Sequence, residues 1–319
     1  MAENDTPSAS WQRLSAAPMQ LGESPRYAHG QLRWVDINAR TLHVLTTDTL
    51  SLHGDTLSVT PAAIQCRSMP DQIACIIPTD EPSCWMGFGR IGIWYIRDDG
   101  QHTLLMPSPF DSTWQRFNDG CCDEWGRIWI SSLIDDKRAP LGKLWCLTQG
   151  TLTEVLNNIT TGNGMAYSAT HRKLWLADTR ERQIRRFDVD AIHTGAAHAM
   201  LVADGWRHTY SHGTERPDGA CMLDEHHYAV AVIDGHRIDV FNIDHCDPVS
   251  SIDVPVTKPT MPCIIPKPSP TLVLTSANVA SATAHKDTAD AFSDDGFVLA
   301  RRLPDEFSTS HIASRFYRR

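Results

Sequence analysis

The chain has 319 residues, 41% of them hydrophobic, with 29 Lys+Arg against 38 Asp+Glu and a formal charge of −9. A chain of this size and composition buries enough surface to fold without disulfides or metals as staples. Its acidic balance, with no basic stripe before Arg315, Arg318 and Arg319, argues against nucleic acid as a partner, and no apolar run approaches the ~20 residues of a membrane-spanning helix.

From the N-terminus, Met1 to Ser8 is polar and acidic and lacks the basic start and apolar centre of a secretory signal. Nine cysteines follow, an odd count without the repeated spacing of a disulfide framework and with no Cys-x-x-Cys pair. The expectation is a cytoplasmic protein whose thiols act as small buried hydrophobes rather than as a disulfide framework.

Strand-sized phrases then recur along the chain: Leu32 to Asp36, Cys84 to Phe88, Arg127 to Ile130, Lys173 to Asp178, His227 to Val232 and Thr271 to Thr275. Several are completed about ten residues on, at Thr41 to Leu45, Gly92 to Ile96, Gln183 to Phe187 and Arg237 to Phe241. Their period-two alternation and polar turns predict hairpins. Six units in 319 residues leave about 53 residues each, close to a propeller blade. The predicted fold is therefore an all-β six-bladed β-propeller, with residues 1–15 as a tail, residues 16–319 as one domain, and the arm before about Gln20 closing the first blade. An α/β barrel needs amphipathic helices between its strands, and only residues 190–202 look helical. Trp34, Trp129 and Trp175 are expected in blade cores, and Asp36 and Asp178 as turn formers.

Four loop phrases place oxygen-bearing or cationic side chains where a channel mouth would be: Leu21 to Pro25, Arg116 to Gly120, Thr161 to Met165 and Arg216 to Ala220. Taken singly, Gly-Asn-Gly, Asn-Asp-Gly and Pro-Asp-Gly are also ordinary turn formers. Taken together, and with Trp34-Val35-Asp36, Gly126-Arg127-Ile128-Trp129 and Lys258-Pro259-Thr260 in the right order, they resemble the regucalcin/gluconolactonase family between about residues 20 and 300.

The resemblance implies one divalent cation held by Glu23, Asn163 and Asp218, with Ca²⁺ ahead of Mg²⁺, Mn²⁺ or Zn²⁺. Two carboxylates and an amide form a hard, incompletely filled oxygen site, which suits such ions. It also implies that Arg116, Asn118 and Asp136 hold the hydroxyls of a sugar lactone and that Asp218 activates water, with the cation polarising the lactone carbonyl. Arg116 and Asn118, two apart on one strand, should face the channel together while Phe117 packs behind them. Departures from the family pattern lie at Asp136, where a Glu is common, and at Cys121-Cys122, Ser131-Ser132-Leu133 and Ile264-Ile265-Pro266. The implied partner is a small sugar lactone, with neither nucleic acid nor membrane involved. Other readings are a non-catalytic calcium-binding propeller and an aryl-ester or organophosphate hydrolase using the same ion. His208-x-x-x-His212 lacks the Glu of a zinc hydrolase, and no Gly-x-Ser-x-Gly elbow is present.

Overall fold

The computed structural model describes residues 10–317 apart from 54–55, 60–63, 191, 193–199, 212, 267–268, 280–293 and 310–315. Among the described residues, six four-stranded antiparallel sheets and one two-stranded hairpin carry the chain. The sheets are the blades of a six-bladed propeller. Their innermost strands are Gly22–Ala28, Cys75–Pro78, Gln115–Cys122, Gly162–Ser168, Arg216–Met222 and Pro259–Ile265, for blades 1 to 6 in order. The hairpin Leu50–His53 with Thr56–Val59 is inserted between the third and fourth strands of blade 1.

The alternation seen in the sequence is the alternation of blade faces. A blade is apolar on both faces, so adjacent blades stack and share cores: Met86 and Phe88 of blade 2 pack with Phe117, Ile128 and Ile130 of blade 3. Phe88 and Phe117 meet edge to face, with centroids 5.8 Å apart. Trp34, Trp129 and Trp175 are fully buried, as their recurring position predicted. The outer strands are the wet edges, and His102–Pro107 is mostly exposed. All nine cysteines are free thiols. Burial pushes the thiols of Cys75 and Cys263 up to about 11 and that of Cys146 up to about 12.

The N-terminal arm differs from expectation. Gln12–Arg13 pairs with Leu299–Arg302 and so closes blade 6 rather than blade 1. Blade 1 already has four strands of its own, whereas the C-terminal chain supplies only three to blade 6 and leaves an open edge that the arm fills. The propeller domain therefore begins inside the segment 1–15 expected as a tail, and Leu14 is buried in its core.

A second long-range contact lies near the C-terminus. Tyr317 is buried, pairs in parallel with Thr79 of blade 2 and donates its backbone N–H to Pro78 O at 3.0 Å. The arginines of the tail and most of residues 190–202 lie outside the described residues. No helix among the described residues is long and apolar enough to cross a membrane.

Candidate metal and substrate site

A repeated local device builds the mouth of the channel. In blade 1 the last residue of the second strand, Asp36, accepts hydrogen bonds from the backbone N–H groups of Gln20 (2.7 Å) and Leu21 (3.1 Å). In blade 4 the equivalent Asp178 accepts from Thr160 (2.8 Å) and Thr161 (3.0 Å). Two residues beyond each clamp stand Glu23 and Asn163. The turn-forming aspartates of the sequence are thus the anchors of the loops that carry the candidate ligands.

The next device aims the side chains. In blades 1, 3, 4 and 5 the pairing of the innermost strand slips at the functional residue: after Glu23, after Phe117, after Asn163 and after Pro217. Such bulges turn a side chain out of the sheet and end regular pairing. Gly164, just past Asn163, has φ +55, and a Cβ there would sit 2.7 Å from Ala177 Cβ and 2.8 Å from the Tyr228 hydroxyl. Only glycine fits the turn that presents Asn163.

Glu23, Asn163 and Asp218 come together in one cavity of about 330 Å³, and Arg116 and Asn118 line it with them. Phe117 is fully buried behind the pair, as expected. A one-way chain of donors links these residues. Arg116 Nη1 donates to Asn118 Oδ1 (2.6 Å), Asn118 Nδ2 to Asn163 Oδ1 (2.9 Å), and Asn163 Nδ2 to Asp218 Oδ1 (2.5 Å). A guanidinium can only donate, so Arg116 fixes the direction of both amides. Asn118 is also held by Gly162 O and Asn163 by the Thr179 hydroxyl, each at 2.9 Å.

The electrostatics are those of crowded, desolvated carboxylates. Burial, then Asp218 and Asp119, hold the Glu23 carboxyl well above its ordinary range. Burial pushes Asp218 up to about 8, Asp119 adding to the shift while Lys137, Arg216 and Arg116 oppose it. Burial lowers Arg116 to about 10, which leaves it charged at neutral pH.

The donor set fits a hard cation. Asn163 Oδ1 accepts one hydrogen bond and keeps a second lone pair. The Thr161 hydroxyl, buried in the same cavity, has no hydrogen-bond partner among the described residues. Neither Glu23 nor Asp218 takes part in an ion pair among the described residues. No cluster of three or more His, Cys, Asp or Glu among the described residues is arranged to bind a metal. The set at the channel mouth has two carboxylates, and its third member is an amide.

Asp136 is not brought into the site. It is exposed, and its Oδ1 accepts the Arg138 backbone N–H at 3.1 Å. The neighbouring Lys137 lines the cavity instead. Thr161, Thr179, Lys258 and Thr260 also line it without having been singled out. Three of them stood inside or beside quoted phrases, and Thr179 follows the Asp178 clamp.

The chain is similar to known proteins over most of its length. The family model described as "SMP-30/Gluconolactonase/LRE-like region" matches residues 21–278. The 6-deoxy-6-sulfogluconolactonase of Pseudomonas putida is 25% identical over 265 residues, 82% of this chain and 84% of that one. Pentonolactonase XacC of Haloferax volcanii is 26% identical over 256 residues, 78% of each chain. The crystal structure of a calcium-binding protein, regucalcin, from Agrobacterium tumefaciens strain C58 superposes with a TM-score of 0.77 at 20% identity, over 95% of each chain.

Proposed function

Because the chain belongs to the SMP-30/gluconolactonase/LRE-like family, we propose that it is a metal-dependent hydrolase opening the ring ester of sugar-acid lactones. One observation carries the proposal: Glu23, Asn163 and Asp218 share a single cavity with Arg116 and Asn118, although the five residues come from four blades. Relatives that act on sulfogluconolactone and pentonolactone support the substrate class.

Glu23 Oε, Asn163 Oδ1 and Asp218 Oδ would hold the cation, Ca²⁺ being the first choice for an all-oxygen set. When bound, such an ion supplies Lewis-acid polarisation of the lactone carbonyl. Asp218 accepts the proton of the attacking water, and the water oxygen bonds to the carbonyl carbon. Collapse of the tetrahedral centre breaks the bond to the ring oxygen, which takes up the proton from Asp218 and leaves as a hydroxyl. Arg116 and Asn118 orient the sugar hydroxyls, and the donor chain between them limits their motion. A calcium binder without turnover has no evident use for that pair.

The test is acid release from a panel of aldonolactones with and without chelator. Release that chelation abolishes and metal restores is the expected result. No release from any lactone would favour the non-catalytic binding protein.

A further inference from the structure

Arg116, Lys137 and Lys258 line the same cavity as the two carboxylates. Arg116 already donates to Phe117 O and Asn118 Oδ1. Lys137 and Lys258 form no side-chain hydrogen bond or ion pair with any described residue. Lys137 follows the second strand of blade 3, the blade whose innermost strand carries Arg116 and Asn118. Its acidic neighbours are engaged elsewhere: Asp135 forms a two-pronged ion pair with Arg90, at 3.0 and 2.8 Å, and Asp136 accepts the backbone of Arg138. The Lys137 ammonium lies in the fields of Asp218 and Glu23, and also in the repulsive fields of Arg116 and Arg180.

Charge balance gives this arrangement a consequence. A divalent cation offsets Glu23 and Asp218 one for one, and Arg116, Lys137 and Lys258 then leave the cavity positive. A neutral sugar lactone leaves that charge uncompensated and the three N–H donors of Lys137 without an acceptor. Resting on the lactonase reading above, we infer that the preferred lactone carries a second, anionic group remote from its ring carbonyl, a carboxylate, sulfonate or phosphate, and that Lys137 receives it. Arg116 and Asn118 hold the sugar between that group and the carboxylates. Lys137 therefore sets substrate preference without taking part in bond making.

A matched pair of lactones tests this. Glucono-1,4-lactone and glucaro-1,4-lactone differ only at carbon 6, a hydroxymethyl in one and a carboxylate in the other. For the metal-loaded protein, kcat/KM should favour the glucarolactone on the order of tenfold, expressed in KM and weakening with salt. Lys137→Gln should collapse that ratio towards one, and Lys137→Arg should retain most of it. Equal or reversed preference in the wild type overturns the inference, as does a Lys137→Gln variant that slows both substrates in proportion. Should that variant fail to fold, the salt dependence of the wild-type ratio decides. The 6-deoxy-6-sulfo and 6-phospho analogues of the gluconolactone show which anion is favoured.

A second readout needs no turnover. Glucarate should raise the thermal midpoint of the metal-loaded wild type more than gluconate does, and Lys137→Gln should lose the difference. Acid release from no lactone, with the glucarate effect intact, would remove the lactonase reading and leave the anion site standing. Equal protection by the two sugar acids would overturn the anion site, and acid release without preference would do so while leaving the lactonase in place.

Discussion

Asn163 of blade 4 donates from its amide nitrogen to Asp218 Oδ1 of blade 5 across 2.5 Å. The residue on its other side, Asn118 of blade 3, is held in turn by Arg116. Three blades are therefore locked at the channel mouth by a chain whose direction is set by one guanidinium. The Asp218 carboxylate at the end of that chain has its second oxygen free of any described hydrogen bond.

If Asp218 takes the proton from water, its loss is felt in the chemical step. Asp218→Ala should lower kcat roughly 10²- to 10⁴-fold, as expected for removal of a general base. Glu23→Ala should abolish metal-dependent turnover. Circular dichroism should show both propellers intact, and near-wild-type rates from either variant in metal-replete buffer would contradict the assignment.

Asp136 separates what family resemblance implies from what the structure places. Its carboxylate caps the Arg138 backbone on the surface and does not line the cavity. Asp136→Ala should accordingly leave kcat and KM within about twofold of wild type, the usual size of a surface effect. A loss of tenfold or more in kcat/KM would mean that the loop closes over the substrate and carries Asp136 inward.

The raised carboxylates make stability depend on pH when no cation is bound. A carboxyl whose folded pKa lies above its unfolded value favours the fold while protonated, and that contribution fades as pH rises from the unfolded value of about 4 through the folded value. For Asp218 the window runs up to about 8. Chelated protein should therefore melt at a lower temperature at pH 8 than at pH 5, and a divalent cation should raise the midpoint more at pH 8. Cation binding at pH 7 should release protons, on the order of one or two, measurable by calorimetry in buffers of differing ionisation enthalpy. No proton release would mean that the carboxylates are not the ligands.

The loop clamps connect fold to site. Asp178→Ala leaves the amides of Thr160 and Thr161 without an acceptor. It should cost roughly 2–6 kcal/mol by denaturant melts, since each unsatisfied buried group costs about 1–3. The same change should weaken cation affinity by freeing Asn163. A variant that loses stability but binds the cation as tightly as wild type would separate the clamp from the site.

The propeller was legible because blade cores repeat one local pattern, and Trp34, Trp129 and Trp175 occupy the predicted interiors. The meeting of Glu23, Arg116, Asn118, Asn163 and Asp218 in one cavity was legible because each stands in a short phrase next to a bulge. Less legible were features settled by distance in the chain. The pairing of Gln12 with Ala300 depends on which blade is left with an open edge, and the seat of Tyr317 against Thr79 spans most of the sequence. The resemblance implied Asp136, but its neighbour Lys137, in a left-handed backbone (φ 52), is the residue that lines the cavity. No spacing rule encodes that choice.

The proposed lactonase needs three oxygen donors, from three blades, to hold a single ion. The most direct test is an anomalous difference map from crystals soaked in Mn²⁺. The account predicts one strong peak bonded to Glu23, Asn163 and Asp218 oxygens at about 2.0–2.6 Å, with open positions facing Arg116 and Asn118. A peak elsewhere in the channel, or none at concentrations that support activity, would contradict it.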